Sequence, residues 1–283
     1  MRSVEEATVL VTGATAGLGR RVAQELAARG AAVVLHGRSE ERAEAALRGI
    51  RQETGNQNLS YLLADLSSLE EVSCLAKEFA ERYERLDVLV NNAGVGSGGR
   101  GDGRELSRDG YELRFAVNYL SHFLLTNLLL ARLEESAPSR IVNVASIGQA
   151  PIDFEDVMLE RGYDGHRAYG QSKLAQIMFT FSLAERLRGT GVTANALHPA
   201  SLMDTKMVYE SYGYTLSTVQ EGADATVRLA VSPDLEGITG RFFDRKREAR
   251  ANEQAYDPQA RERLWELSEA LCGRFLSTGS PRP

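Results

Sequence analysis

The chain has 283 residues, 43% of them hydrophobic and 25% charged, with a formal net charge of −6. This is the make-up of a soluble globular protein, and so acidic a chain lacks the basic face that nucleic-acid binding requires. Two cysteines, Cys74 and Cys272, are too few for a disulfide framework, and no apolar run reaches the length of a membrane span.

Short apolar runs alternate with amphipathic helical patterns, which predicts an α/β fold: a parallel sheet with helices on both faces. A first strand is expected at 7–12. The turn Thr12-Gly13-Ala14-Thr15-Ala16-Gly17-Leu18-Gly19 leads into a helix at 17–29 that stops at Gly30. A second strand is expected at 31–36, and Ser39 then caps a helix reaching residue 53. A third strand at 59–64 ends before Asp65. Ser68 caps a helix to 85, in which Cys74 sits beside Val72, Leu75 and Phe79 and is expected in the core. A fourth strand at 86–90 runs into Asn91-Asn92-Ala93-Gly94, and residues 95–103, with five glycines, read as a mobile surface loop.

A long helix is expected at 108–133, a fifth strand at 140–145, an irregular stretch at 148–165, a second long helix at 166–188 and a sixth strand at 192–197. Residues 198–214 form a tyrosine- and methionine-rich excursion. A helix at 221–231, a short strand at 240–243 and a last helix at 258–272, with Trp265 as a packing residue, complete the chain. No repeat or linker divides it, so a single doubly wound Rossmann-type domain with a sheet of about seven strands is expected.

The glycine turn follows a strand and opens a helix, a place where unpaired N–H groups suit a phosphate. Taken alone it is equally an ordinary glycine turn, and its spacing is not G-x-G-x-x-G. Tyr169 and Lys173 lie at i and i+4 on one helix face, where an ammonium favours a phenolate; taken alone they are a surface aromatic beside a solvated lysine. Ser146, Asp65 and Asn118 likewise have ordinary structural readings as turn, loop-start and helix-kink residues. All the motif positions other than Asn118 and the Tyr169–Lys173 pair follow strands, so they gather at the C-terminal sheet edge, where such folds bind ligands. His36, His122, His166 and His198 lack metal-ligand spacing, and His166 reads as a surface residue at a helix start.

Taken together, Thr12-Gly13-x-x-x-Gly17-x-Gly19, Asp65, Asn91-Asn92-Ala93-Gly94, Asn118, Ser146, Tyr169-x-x-x-Lys173 and His198-Pro199 resemble the short-chain dehydrogenase/reductase family over about residues 7–245. Asp109-Gly110-Tyr111-Glu112, Asn118-Tyr119-Leu120-Ser121-His122-Phe123 and the separation of 23 between Ser146 and Tyr169 resemble its retinol-dehydrogenase-like branch. The resemblance implies that Tyr169 is the general acid/base, that Lys173 lowers its pKa and binds the nicotinamide ribose, that Ser146 holds the substrate carbonyl and that Asn118 anchors a water. It assigns Gly13, Gly17 and Gly19 to the pyrophosphate, with Thr15 and Leu18 also binding the cofactor, Asp65, Leu66, Asn92 and Gly94 to the adenosine side, and Pro199, Leu202 and Thr205 to the segment that contacts the nicotinamide carboxamide. It also implies a homodimer or homotetramer through the two long helices.

Two departures stand out. Pro199-Ala200 replaces the family's usual Pro-Gly, and Thr205 lies six residues past Pro199, not five. Members of the branch that sit on membranes carry an N-terminal apolar anchor, whereas Met1-Arg2-Ser3-Val4-Glu5-Glu6 resembles neither anchor nor signal peptide; no membrane association and a cytoplasmic location are expected. Gly37 stands where NAD users commonly carry Asp, while Arg38 and Ser39 offer donors to a 2′-phosphate, so the expected cofactor is NADP(H). The expected substrate is a bulky apolar carbonyl or alcohol, walled by Met203, Met207, Tyr209, Tyr212, Tyr214, Ile152 and Phe154 and covered by closure of 95–103 and 198–214. The alternatives are an NADP-binding regulator without turnover and a nucleotide-sugar epimerase or dehydratase.

Overall fold

In β1 (Thr8–Val11), Val9 and Val11 enter one core and Leu10 the other, the alternation a strand imposes. Burial on both faces makes β1 central, with β2 (Ala32–Gly37) parallel on one side and β4 (Val88–Asn91) parallel on the other. With β3 (Leu59–Leu63), β5 (Ser139–Val144), β6 (Val192–His198) and β7 (Phe242–Asp244), the sheet runs β3-β2-β1-β4-β5-β6-β7, all parallel. An eighth strand, β8 (Arg247–Glu248), pairs antiparallel with β7; two exposed residues after a turn leave no periodicity to read. The computed structural model describes residues 3–98 and 103–276.

The helices α1 (Gly17–Ala28), α2 (Glu40–Thr54) and α9 (Val219–Val231) cover one face. Ser39 caps α2 by accepting from Arg42 N, and Ser68 caps α3 (Leu69–Arg82) by accepting from Glu71 N, both as expected. On α3, Leu69, Val72, Leu75, Ala76 and Phe79 are buried, but Cys74 is exposed. It lies two residues past Val72, about 200° round the helix, which turns it to solvent and corrects the expected core placement.

The helix expected from residue 108 begins at 113. Asp109 accepts from Leu69 N at 2.8 Å, Gly110 takes a left-handed φ of 84°, and Gly110 N donates to Ser107 O at 3.0 Å. This turn, which caps α3 from a distance, outcompetes helix. Glu112 then starts α4 (Leu113–Phe115), its Oε2 accepting from Phe115 N at 2.7 Å. One π turn at Ala116–Leu120 follows, then α5 (Ser121–Leu128) and α6 (Leu130–Glu135).

The side chain of Arg114 is buried in this corner. It donates to Gly96 O at 3.0 Å and Tyr163 Oη at 2.7 Å and lies 3.5 Å from Glu112 Oε1, to which Tyr163 also donates. Residues 95–98 of the expected mobile loop are thus tied down; 99–102 lie outside the described residues.

α7 (Gly165–Arg186), capped by Asp164, completes the second face beside α3 and α5. α10 (Pro258–Leu276) packs across α5 and α7. Trp265 sits 5.1 Å from Phe123 and 5.8 Å from Phe179, centre to centre, and Tyr119 Oη meets Ser268 Oγ at 2.6 Å. Trp265 is therefore the packing residue expected, and part of the long-helix surface expected to join subunits is covered by the chain's own last helix. No helix among the described residues is long and apolar enough to cross a membrane.

Candidate active site

The strand order reverses between β1 and β4, and the glycine turn and Asn91–Gly94 meet at that point. Gly13 and Gly17 hold φ values of 65° and 52°, which glycine adopts without strain. A Cβ on Gly13 would lie 2.9 Å from the Ala93 backbone, and one on Gly19 would strike the Gly13 carbonyl. Asn92 locks this contact by donating to the Thr12 and Gly13 carbonyls at 2.8 and 3.4 Å. No side chain caps α1 at Ala16, which leaves its first-turn amides to other acceptors. At the end of β2, Thr15 fills the space that a side chain on Gly37 would need. Beside it Arg38 is exposed and makes no hydrogen bond or ion pair among the described residues, while Ser39 is half-buried. Tight glycine backbone, helix amides and an exposed guanidinium fit an anionic dinucleotide.

His36 was readable only as a strand residue, yet it supports this loop from beneath. Its Nδ1 accepts from Gly13 N at 3.2 Å, its Nε2 donates to Ala64 O at 3.1 Å, and its carbonyl accepts from Ala14 N at 2.9 Å. Burial pushes its pKa down to about 4; burial, with Lys173 nearby, pushes that of His122 down to about 3. In the unfolded chain both would protonate near pH 6.5. The unfolded state therefore binds more protons below that pH, so stability is full above about pH 6.5 and declines as pH falls toward 4. The slope is on the order of 1.4 kcal/mol per pH unit for each ring. Melting temperature should drop steeply between pH 7 and pH 4.5, and His36→Gln should flatten part of that slope; a level melting temperature over this range would contradict buried neutral rings.

The second set of motifs converges at two glycines. A Cβ on Gly94 would lie 3.1 Å from Asn118 Oδ1 and 3.7 Å from Lys173 Nζ. A Cβ on Gly148 would lie 3.5 Å from Ser146 Oγ and 3.9 Å from Tyr169 Cε1. Asn118 is presented by the π turn, a feature frequent at functional sites. Its Oδ1 accepts from Val95 N at 2.7 Å, and its Nδ2 donates to Val95 O and Ser172 Oγ at 3.1 and 2.9 Å. Ser146, just past β5, accepts from Gly148 N at 3.0 Å and stands near the Tyr169 phenol, whose ionised form it favours.

Tyr169 and Lys173 differ from what the resemblance implies. Burial pushes the Tyr169 phenol above its ordinary value, the Ser146 hydrogen bond opposes this, and Tyr212 adds a smaller push upward. Lys173 Nζ lies 5.7 Å from the Tyr169 ring centre and donates instead to Val144 O at 2.9 Å and Gln176 Oε1 at 3.0 Å. Burial brings its own pKa down to about 7. Burial thus acts on the two groups in the same sense, favouring the neutral form of each.

At the far end of the cleft, Asp65 Oδ1 accepts from Ser67 N at 3.0 Å, Asp65 Oδ2 lies 3.6 Å from Arg108, and Leu66 is buried. In the 199–205 segment, Thr205 Cγ2 would lie 3.4 Å from a Cβ on Gly17, so this residue leans on the glycine loop despite its shifted spacing. Thr205 also caps α8 (Lys206–Tyr212). Leu202 holds a left-handed φ of 44°, and Pro199 packs toward Gly222 on α9.

The expected apolar wall divides. Ile152, Phe154 and Met203 pack into the two cores, whereas Met207, Tyr209, Tyr212 and Tyr214 are exposed, joined by Leu216 and Ile147, which sequence reading did not single out. His166 is exposed as expected, its ring 6.2 Å from that of Tyr212. Among the described residues no cluster of three or more His, Cys, Asp or Glu could hold a metal.

The family model for short chain dehydrogenases matches residues 7–212. Retinol dehydrogenase 13 of Mus musculus is 40% identical, with 97% of this chain and 86% of that protein covered. Retinol dehydrogenase 11 of Homo sapiens is 38% identical, with 94% and 85% covered. Among solved structures, an uncharacterized protein from Mycobacterium paratuberculosis superposes with a TM-score of 0.76 at 33% identity, covering 95% of this chain and 94% of that one. A short chain dehydrogenase from Escherichia coli CFT073, complexed with NADPH, gives 0.69 at 27% identity, covering 85% and 97%. With the doubly wound sheet and the motifs assembled at its switch point, these matches place the chain in the short-chain dehydrogenase/reductase family, in its retinol-dehydrogenase-like branch.

Proposed function

We propose that this protein is an NADP(H)-dependent oxidoreductase that interconverts a ketone or aldehyde and an alcohol on a bulky apolar substrate. The observation that carries this reading is the double convergence of Ser146 with Tyr169 at Gly148 and of Asn118 with Lys173 at Gly94. Ser146 orients a carbonyl oxygen by hydrogen bonding, and Tyr169, kept protonated by burial, supplies the proton that oxygen takes up in reduction. NADPH, when bound, supplies the hydride. Gly13, Thr15, Gly17, Leu18 and Gly19 hold its pyrophosphate, Asp65, Leu66, Asn92 and Gly94 its adenosine side, and Lys173 its nicotinamide ribose, with Pro199, Leu202 and Thr205 at the nicotinamide end. Relatives named retinol dehydrogenases and neighbours solved with NADPH or NADP support the same reading. Incubation with NADPH and retinal, aromatic ketones, quinones and steroids, followed by nicotinamide absorbance, is the test; tight NADPH binding without oxidation by any of them would favour a regulator.

Arg38 decides the cofactor in this reading. Gly37 leaves no carboxylate to repel a 2′-phosphate, and the exposed guanidinium meets phosphate oxygens with a planar fork of donors. A charge-assisted bond contributes roughly 1.5–3 kcal/mol, so Arg38→Ala should weaken NADPH about 10- to 150-fold and NADH little. Dissociation constants of both cofactors for both proteins check this; equal losses, or equal wild-type affinities, would sink it.

The exposed Met207, Tyr209, Tyr212 and Tyr214 give the 198–214 segment something to bury over an apolar substrate. Limited proteolysis should cut the 198–214 segment more slowly once NADPH and an unreactive substrate analogue are present. Unchanged cutting would argue against closure.

A further inference from the structure

A buried chain of side chains links the Lys173 amine to the floor of the glycine loop. Lys173 Nζ donates to Gln176 Oε1 at 3.0 Å, Gln176 Nε2 lies 3.2 Å from His122 Nδ1, and His122 Nε2 lies 3.3 Å from Thr12 Oγ1. Thr12 Oγ1 in turn donates to Val90 O at 3.3 Å and accepts from Asn92 N and Ala93 N at 2.9 and 3.0 Å. Thr12, His122, Lys173 and Gln176 are each at most 5% exposed, so water competes little for these contacts.

Each link constrains the next. An ammonium only donates, so charged Lys173 turns Gln176 Oε1 toward itself. The amide then presents its N–H to His122 Nδ1, which must carry a lone pair, and the ring proton sits on Nε2, where it is a third N–H turned on a Thr12 oxygen that already accepts from Asn92 and Ala93. The carbonyl of Asn118 lies 3.1 Å from the same Nδ1 and favours the other tautomer. A neutral amine releases the constraint: it accepts from Gln176 Nε2, the amide turns over, and Gln176 Oε1 and Asn118 O both face a proton on Nδ1.

We propose that Gln176 and His122 are positioning residues of the site, which hold the Lys173 amine against the Val144 carbonyl and convey its charge, through the imidazole tautomer, to Thr12 beneath the cofactor loop. This rests on the reading of Lys173 given above. The other titratable groups facing the chain are Tyr169 on α7 and His198 at the end of β6, both toward Lys173, and His36 on β2, toward His122.

Nitrogen-15 NMR of the histidine rings in the full chain reads the tautomer without turnover, with the His122 signals assigned by their loss in His122→Gln. In wild type, His122 should be the Nε2–H tautomer while Lys173 is charged, and its two nitrogen signals should interchange as pH rises through the Lys173 titration. Gln176→Glu keeps an acceptor for Lys173 but offers Nδ1 no donor, and should hold the Nδ1–H tautomer at both ends of that range. Gln176→Met, close in volume, should do the same, with Asn118 O the remaining partner. A wild-type ring that keeps one tautomer throughout, or variants whose spectra match wild type, overturns the proposal. Failure to reduce any carbonyl would instead sink the oxidoreductase reading and leave these spectra as they are.

Discussion

Replacing Tyr169 with phenylalanine should lower turnover by about 10²–10⁴-fold while NADPH still binds. The change removes one oxygen and leaves the ring that packs beside Gly148, so the cleft keeps its shape. What is lost is the proton donor that burial holds in its neutral form and that Ser146 orients. Steady-state rates at saturating NADPH, with cofactor affinity measured separately, give the comparison. A variant keeping more than about a tenth of wild-type turnover would show that the proton comes from elsewhere.

The second large effect is on stability. Arg114→Ala should destabilise the fold by about 3–5 kcal/mol, because it strands a buried carboxylate. Glu112 is 1% exposed, and its oxygens are met by Arg114, Tyr163 and the Phe115 amide. The same substitution frees the Gly96 carbonyl, so the stretch leading from Gly94 toward the glycine-rich loop loses an anchor as well. Chemical denaturation measures the loss, and the double variant Arg114→Met with Glu112→Gln should recover much of it, since no charge is then left buried alone. A single variant as stable as wild type would mean that Glu112 reaches water in solution.

The structure brings the glycine loop and Ser146 to one sheet edge, as their places after strands lead one to expect, and sets Asn118, Tyr169 and Lys173 beside them from helices. Sequence reading went astray where a distant partner decides the local structure. Asp109 leaves the helical pattern because Leu69 N needs an acceptor, and Leu69 is forty residues away in sequence. Cys74 was assigned by its neighbours, although the phase of α3 turns it outward. His36 and Gln176 gave no signal at all: a histidine in an apolar strand and a glutamine in a long helix look incidental until folding sets them beneath Gly13 and beside Lys173. The π turn at Asn118 is equally silent, since a single extra residue hardly disturbs a helical period.

The place of α10 bears on how the chain reaches this state during synthesis. Phe123 and Phe179 are finished early, yet the indole that closes over them belongs to Trp265, and Tyr119 waits 149 residues for Ser268. While the ribosome is still making the C-terminal segment, the aromatic faces of α5 and α7 lack that cover and stand open to any apolar surface nearby. A chain released before Pro258 would lack Trp265 and Ser268 and leave that aromatic face uncovered. Completion of α10 is thus the step that covers these rings.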